Sequence, residues 1–277
     1  MRVAIVGMGA IGQHLAGLLD GRAEIVPIDR THSPLRDGER PVDAAIVATK
    51  TPGTRWAAEQ VARVLTDDGV ALSVQNGVGN RELLAGALGE DRVALGVIYV
   101  GAGFHSDGSH YATGAGRLEL GRPSGRAPAV RLEELAGLLR AGGADVALVD
   151  DPLHAVWRKV VANAVMNAPS ALLDAPYGEF LRDPAKAMLL DALAHESARI
   201  VTAVGHAYSG EDAARAWRAI AAAMPEHRSS MHADVARGRE TEIDAINGAL
   251  VREAVRRGLD APLNDSLSVL TRALRPA

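Results

Sequence analysis

Three polar side chains recur at intervals of four residues within the otherwise apolar segment WRKVVANAVMN, residues 157–167. They are Lys159, Asn163 and Asn167. In an α-helix each step of four residues advances by only about 40°, so the three side chains point to the same side. A lysine can deliver a proton or a positive charge to an oxygen that becomes negative during a reaction. Amides can hold such an oxygen without adding charge.

The alternative interpretation is a solvated helix face, because surface helices usually carry their polar groups in this way. Elsewhere the chain builds such faces from Arg and Glu, as in RLEELAGLLR, residues 131–140. Its 277 residues include only three lysines: Lys50, Lys159 and Lys186. Asparagine is also a middling helix former, because its amide competes for backbone groups. These observations favour a functional stripe.

The composition limits the classes of protein and partner. The chain has 277 residues, of which 48% are hydrophobic, and this suffices for two domains with separate cores. A net charge of −4 without a basic run argues against a nucleic-acid partner. With no cysteine, neither disulfides nor thiolate metal sites are available, and we expect no metal. No apolar run is long enough for a membrane span and no signal peptide is visible, so we expect a soluble, cytoplasmic protein.

The N-terminal segment MRVAIVGMGAIGQHLAGLL predicts a dinucleotide site. An apolar strand at residues 2–6 is followed by a G-x-G-x-x-G motif and an amphipathic helix through Leu19. The first glycine permits a tight turn, the second admits a pyrophosphate close to the backbone, and the third lets helix and strand pack closely. The helix N-terminus adds N–H groups and a positive dipole end. A glycine-rich turn without a ligand is the alternative. We expect the pyrophosphate to meet the backbone of Gly7, Gly9, Ala10, Ile11 and Gly12.

The end of the second predicted strand, residues 23–28, bears on the choice of dinucleotide. Asp29 follows this strand, and an acidic residue here normally binds the ribose hydroxyls of NAD. Arg30, Thr31 and Ser33 come next and could hold the 2′-phosphate of NADP, which Asp29 would repel. The sequence leaves both dinucleotides possible, as well as a charged loop that binds neither.

Two further polar residues come soon after predicted strands. Lys50 follows the strand at 43–49, and Asn76 follows the strand at 69–74 within QNGVGN. The carboxyl ends of parallel strands share one edge of a sheet, where ligands bind. An asparagine before a glycine is equally often a turn residue.

The remainder of the first half is predicted to close a domain at residues 1–150. We expect antiparallel hairpins with strands at 110–113 and 117–121, a helix at 127–140 and a strand at 145–149.

The second half, residues 151–277, has a helical pattern throughout. We predict helices at 153–173, 184–205, 211–223, about 227–257, and 264–274. Ser230 and Glu242 lie twelve residues apart on the fourth of these. Glu242 taken alone is more often an exposed helix carboxylate.

In combination these motifs resemble the ketopantoate reductase (2-dehydropantoate 2-reductase) family. The resemblance covers nearly the whole chain and rests on GMGAIG, Lys50, QNGVGN, WRKVVANAVMN, HRSSM, and TEIDAING followed by P-L-N. It implies an α/β, Rossmann-like N-terminal domain followed by an all-α C-terminal domain. In that family NADPH and a 2-oxo acid meet in the cleft between the two.

The resemblance also implies roles for the polar residues of the second half. Lys159 matches the catalytic lysine, which acts as an acid, and Asn163 and Asn167 match amides that hydrogen-bond the substrate. Ser230 resembles the serine that holds the substrate carboxylate. Glu242 resembles the glutamate that binds the hydroxyl end of the substrate and affects the lysine.

On the cofactor side, Asn76 resembles the asparagine beside the nicotinamide ribose, and Lys50 resembles a lysine that helps to fix the cofactor. The chain departs from the family in two ways. Only twenty residues separate Arg30 from Lys50, so we expect a shortened N-terminal domain. Tyr177 and His227 stand at substrate-pocket positions where some members carry asparagine.

The expected activity is the reduction of a small 2-oxo acid by NADPH, or by NADH because of Asp29. Ketopantoate, reduced to pantoate for pantothenate biosynthesis, is the family's substrate. The alternatives are another 2-oxo acid or an imine, as for β-hydroxyacid dehydrogenases and imine reductases, or a dinucleotide-binding sensor without turnover. A homodimer is possible.

Overall fold

The computed structural model describes residues 1–31, 40–105 and 107–274. Its contacts divide the chain into two units. One comprises Met1–Gln75 with Gly79–Ala155, and the other comprises Asn76–Val78 with Val156–Ala277. The division after Ala155 lies five residues beyond the predicted boundary at residue 150. The loop that contains Asn76 belongs with the second unit.

The first unit is built on a seven-stranded sheet, with strand order β2-β1-β3-β4-β5-β8-β9. Strands β1 to β5 are parallel, β8 is antiparallel to β5, and β9 is parallel to β8. A separate antiparallel pair is formed by β6 and β7. The strands are β1 Arg2–Val6, β2 Glu24–Ile28, β3 Val42–Val47, β4 Leu65–Ser73, β5 Val93–Tyr99, β6 Ala102–Phe104, β7 His110–Ala112, β8 Arg117–Gly121 and β9 Asp145–Val149.

Helices cover both faces of this sheet. They are α1 Ala10–Leu19, α2 Thr54–Val64, α3 Asn80–Leu88 and α4 Arg126–Ala141, with short 3₁₀ turns at Thr51–Gly53 and Glu90–Arg92. Val3 and Ile5 of β1 pack in one cluster with α1 and α4, whereas Ala4 and Val6 pack in another with α2 and α3. Alternate strand residues therefore serve opposite cores, as expected for a parallel sheet buried on both faces.

The predicted hairpin around residues 110–121 is wrong in its pairing. The strand β7 pairs with β6, which the sequence analysis did not identify, and β8 joins the main sheet beside β5. Leu118 and Leu120 of β8 are fully buried there, a burial that a small surface hairpin would not provide. The helix α3 was also not predicted.

The second unit is helical. Its helices are α5 Pro152–Leu172, α6 Tyr177–Arg182, α7 Pro184–Val204, α8 Gly210–Ala223, α9 Ser230–Ala236, α10 Asn247–Arg256 and α11 Pro262–Ala273, with a 3₁₀ turn at Ile243–Ala245. The predicted fold class, a Rossmann-like α/β domain followed by an all-α domain, is confirmed. Within the described residues, no helix is long and apolar enough to cross a membrane.

The continuous helix predicted over about 227–257 is wrong. The chain forms α9, a left-handed glycine at Gly238 with a φ of +60°, the 3₁₀ turn and then α10. The α9 helix ends where Gly238 donates its N–H to the carbonyl oxygen of Val235. Glu242 consequently lies at the start of a 3₁₀ turn and not on the helix predicted for it and Ser230.

Candidate functional site

Two glycines of the N-terminal motif are required by the packing of the protein itself. Gly7 has a left-handed φ of +100°, and a Cβ atom there would lie 2.7 Å from the backbone nitrogen of Thr49. A Cβ atom on Gly12 would lie 2.0 Å from the carbonyl oxygen of Gly7. Both positions therefore exclude any larger residue, because the turn after β1 brings α1 close to the sheet.

Gly9, in contrast, is not required by packing. It precedes α1 in an extended conformation, and a Cβ atom added there would meet nothing within 4 Å. The first turn of α1 contains no acidic residue, so the positive end of the helix dipole is not neutralised locally. Open space before a helix N-terminus fits the close approach of a pyrophosphate to the backbone of Gly9, Ala10 and Ile11.

Asp29 and Arg30 follow β2, whose carboxyl end lies beside that of β1. The Asp29 carboxylate accepts hydrogen bonds from the backbone N–H and the hydroxyl of Thr31, at 2.7 and 2.6 Å. The Thr31 hydroxyl is thereby bound to Asp29, and this weakens the prediction that it holds a phosphate. Arg30 is exposed. Ser33 lies outside the described residues.

The loops after β3 and β4 are joined by a polar side chain that the sequence analysis did not select. Gln75 donates from its amide nitrogen to the carbonyl oxygen of Thr49 at 3.0 Å and to the hydroxyl of Thr54 at 2.7 Å. Lys50 lies next to this link and is exposed. The position of Gln75 directly after a strand was the available signal.

A histidine from β7 also reaches the glycine motif. His110 Nε2 lies 2.9 Å from the carbonyl oxygen of Ala10, at the start of α1. The small hairpin of β6 and β7 thus fixes the backbone at the predicted pyrophosphate position. No local pattern in the sequence indicates this contact.

The polar stripe on α5 lies within a buried helix surface. Its apolar neighbours Trp157, Val160, Val161, Val165 and Met166 are all buried. Of the three polar residues, Lys159 and Asn163 are half-buried and Asn167 is only 5% exposed. The stripe is therefore not a solvated helix face.

Lys159 is electrostatically unusual. Removal of its ammonium group from water lowers its pKa to about 8, although the nearby negative charge of Glu242 acts in the opposite direction. A lysine with this pKa exists in both protonation states near neutral pH. It can therefore donate a proton much more readily than an ordinary surface lysine.

Glu242 is held by the loop that follows β4. Its carboxylate accepts a hydrogen bond from Asn76 Nδ2 at 3.1 Å. Behind it, Val78 N donates to the carbonyl oxygen of Ala245 at 3.3 Å, and a Cβ atom on Gly77 would lie 2.5 Å from that same oxygen. The structure thus brings together three of the predicted site residues, Asn76, Lys159 and Glu242.

Asn167 belongs to a second group of polar side chains. The Tyr177 hydroxyl donates to Asn167 Oδ1 at 3.4 Å, and the rings of Tyr177 and His227 meet edge to face at 5.1 Å. Burial raises the pKa of Tyr177 and lowers that of His227, so both are neutral near pH 7. This group offers hydrogen-bonding atoms without a formal charge.

The two serines of HRSSM differ in their surroundings. Ser229 is buried, donates to the carbonyl oxygen of Asn167 at 3.0 Å and caps α9 by accepting from the N–H of His232. Ser230, the predicted substrate residue, is the exposed first residue of α9. Ser229 was not among the predicted site residues, although a serine before a short helix is the usual N-cap signal.

No group of three or more His, Cys, Asp or Glu residues that could hold a metal ion occurs among the residues that the structure describes. The polar groups described above in the second unit are an ammonium group, a carboxylate and neutral amides. Such a set can bind a small oxygen-rich anion and deliver a proton to it.

Comparison with known proteins gives consistent matches. Two family models match this chain: Ketopantoate reductase PanE/ApbA over residues 29–125, and Ketopantoate reductase PanE/ApbA C terminal over residues 151–275. The 2-dehydropantoate 2-reductase of Archaeoglobus fulgidus is 32% identical over 99% of this chain and 97% of its own length.

Solved structures agree with these matches. The PanE/ApbA family ketopantoate reductase of Ralstonia eutropha JMP134 is 30% identical, with a TM-score of 0.84 over 99% of this chain and 98% of that one. The dimeric ketopantoate reductase of Staphylococcus aureus, at 22% identity, shares the fold with a TM-score of 0.84 over 99% of both chains. Because sequence and fold agree over nearly the full length of the relatives, this chain belongs to the ketopantoate reductase family.

Proposed function

We propose that this protein reduces 2-dehydropantoate to pantoate, with NADPH as the hydride donor and Lys159 as the general acid. The observation that carries the proposal is the half-buried Lys159 on α5, whose pKa is lowered to about 8 and which interacts with Glu242. Membership of the ketopantoate reductase family supports it independently.

In this proposal the residues of α5 and the Glu242 turn act on the ketone oxygen. A dihydronicotinamide dinucleotide, held by the glycine motif of residues 7–12, would supply the hydride for the carbonyl carbon. The carbonyl oxygen then gains negative charge, and the Lys159 ammonium group stabilises this charge and transfers one proton to form the alcohol. Glu242 favours the protonated lysine before the reaction, and burial favours release of its proton.

The other predicted substrate residues would orient the 2-oxo acid. We assign Asn163 and Asn167 to hydrogen bonds with its oxygen atoms, and Ser230 to its carboxylate. Tyr177 and His227 would shape the far end of the pocket, because they pack against each other and Tyr177 bonds Asn167. Glu242 would also accept a hydrogen bond from the substrate hydroxyl.

The dinucleotide would bind to the first unit through backbone atoms. We assign its pyrophosphate to the glycine motif at residues 7–12, where the open space at Gly9 fits it. Asp29 would lie beside the adenosine ribose, where its carboxylate would bind the hydroxyls of NADH but repel the 2′-phosphate of NADPH. Asn76 and Lys50 would contact the nicotinamide half.

The choice of NADPH over NADH depends on the balance between Asp29 and Arg30. We expect the Asp29→Ala variant to bind NADPH about tenfold more tightly, since one negative charge near the 2′-phosphate is removed. Fluorescence titration with NADPH and NADH measures both affinities. Arg30→Ala is the matched variant and should weaken NADPH binding, because it removes a planar phosphate ligand. A wild-type protein with a strong preference for NADH would contradict the assignment.

The pKa of Lys159 predicts the pH dependence of turnover. Its folded-state pKa is lowered to about 8, so the ammonium form that reduction requires predominates below that pH and is lost as pH rises. We expect kcat for reduction to fall tenfold per pH unit above an alkaline midpoint near pH 8. Initial rates from pH 6 to 10 at saturating concentrations test this. If kcat instead stays unchanged up to pH 10, Lys159 is not the acid.

The proposed activity is tested by cofactor oxidation with a panel of 2-oxo acids. We expect the highest kcat/KM with 2-dehydropantoate, and lower values with pyruvate, 2-oxoisovalerate and phenylglyoxylate. If another acid of the panel gave a higher kcat/KM, that acid would be the substrate instead of 2-dehydropantoate. A protein that binds the dinucleotide but oxidises it with none of these acids would instead be a sensor.

We also propose a homodimer, following the dimeric relative from Staphylococcus aureus. The exposed apolar side chains Val269 and Leu270 on α11 are candidate contacts. Sedimentation velocity would show the oligomeric state, and a monomer at micromolar concentration would contradict the proposal.

A further inference from the structure

Asn247 is a buried amide without an assigned role. It begins α10, directly after the turn that carries Glu242, and its side chain is fully buried. Its Nδ2 donates to the carbonyl oxygen of Ala164 on α5 at 3.1 Å and to Asn264 Oδ1 at 3.0 Å. Ala164 follows Asn163, so Asn247 binds the backbone of the helix that carries Lys159.

The two polar atoms of the Asn247 side chain differ in their bonding, because Nδ2 donates to two acceptors. Within the described part of the chain, Asn247 Oδ1 is buried with no hydrogen-bond partner. Burial of an unsatisfied polar atom costs about 1–3 kcal/mol, and an apolar side chain of the same shape would avoid this cost. Leucine would avoid it but would leave the buried Asn264 Oδ1 without the donor that Nδ2 provides. The useful property of Asn247 is therefore the directional bond from Nδ2.

The turn between Glu242 and Asn247 is short and internally bonded. The carbonyl oxygen of Glu242 accepts from the N–H groups of Ala245 and Ile246, at 3.0 and 3.1 Å. Displacement of Asn247 would therefore be transmitted to Glu242 through a compact 3₁₀ turn. The exposed side of this turn is held by Asp244, which accepts from Arg272 on α11 at 2.6 Å.

We propose that Asn247 is a positioning residue, which holds the Glu242 turn against α5 and thereby sets the distance between the Glu242 carboxylate and the Lys159 ammonium group. The inference rests on the proposed function only in that Lys159 is taken as the acid. The amide is neutral, so it fixes this distance without adding a charge of its own. The carboxylate itself accepts a hydrogen bond from Asn76.

This role predicts a change in the ionisation of Lys159. Burial lowers the pKa of Lys159, and Glu242 is the charged group that raises it. If the turn moves away from α5, burial continues to act while the opposing charge weakens. The pKa of Lys159 should then fall further, by roughly half a unit for about 1 Å of added separation.

Direct titration of Lys159 tests the proposal without substrate. The chain has three lysines, so ¹³Cε-lysine labelling gives three signals, which Lys50→Arg and Lys186→Arg variants assign. We expect Asn247→Leu, which keeps the shape of the side chain but removes the donor, to lower the Lys159 midpoint by roughly half a pH unit. The alkaline midpoint of kcat should move in the same direction.

Asn264→Ala is the matched control. Asn264 shares the buried network with Asn247 and donates to Glu196 and Ser197, but Asn247 keeps its bond to Ala164 without it. We expect this variant to lower Tm and to leave the Lys159 titration unchanged.

An unchanged Lys159 midpoint in folded Asn247→Leu, or an equal shift in Asn264→Ala, would overturn the proposal. So would loss of the folded state in both Asn247→Leu and Asn247→Ala, because Asn247 would then be a folding residue. Failure of the proposed function would be a different result: the wild-type protein would reduce no 2-oxo acid. That result does not depend on the Lys159 titration.

Discussion

We expect the Lys159→Ala variant to retain its affinity for the dinucleotide and to lose about 10²- to 10⁴-fold in kcat, the range for removal of a general acid. The truncation removes the ammonium group that would stabilise the oxygen and protonate it. Dinucleotide affinity should persist, because that ligand is assigned to the backbone of the glycine motif in the other unit. Steady-state kinetics with 2-dehydropantoate, together with fluorescence titration of NADPH, separate these two quantities.

Two further lysine variants sharpen this result. Lys159→Arg should rescue little, since the guanidinium group has a much higher pKa and a wider, planar shape. Lys186→Ala makes the same truncation in the same unit, where the lysine pairs with Glu179 and Asp183. It should leave kcat unchanged. Near wild-type turnover by Lys159→Ala would mean that the α5 stripe serves packing and that the acid lies elsewhere.

The Gly9→Val variant is expected to lose dinucleotide binding by at least about a hundredfold while its fold persists. The backbone at Gly9 has φ −73° and ψ −168°, an extended conformation that valine adopts readily. The added side chain meets no protein atom near its Cβ, so it would occupy the space assigned to the pyrophosphate. Isothermal titration calorimetry with NADPH measures the loss of affinity. The Tm, measured in parallel, shows whether the fold persists.

Gly17→Val provides the control for this substitution. Gly17 lies on the same helix, is exposed, and likewise has nothing within 4 Å of an added Cβ atom. It lies about two turns from the helix N-terminus, so NADPH affinity should not change. If Gly9→Val binds NADPH as tightly as Gly17→Val does, the pyrophosphate does not bind at this turn.

The features that the sequence determined by itself are those with local causes. The glycine spacing specifies the turn between β1 and α1, since Gly7 and Gly12 leave no room for a side chain. The stripe on α5 follows from helical periodicity, and apolar residues around it, among them Trp157 and Val161, are buried. The alternation of strands and helices in the first half, followed by helices alone, agrees with the fold class that the family resemblance implied.

Tertiary structure decided the features that depend on partners distant in the chain. The apolar periodicity around Glu242 suggested a continuous helix, but a left-handed Gly238 and contacts with the loop at 76–78 produce a turn instead. The alternating residues of strand β8 suit either a surface hairpin or a position inside a sheet. Only the tertiary structure, which buries Leu118 between β5 and β9, selects the position inside the sheet.

The lowered pKa of Lys159 has the same origin. Its cause is desolvation on burial, opposed by a carboxylate 83 positions further along the chain, and no local spacing encodes either. The bond from Asn247 to Ala164 likewise joins positions 83 residues apart. Sequence patterns identified which groups could react, whereas packing determined their protonation and the distances between them, because electrostatic interactions depend on separation and burial rather than on order in the chain.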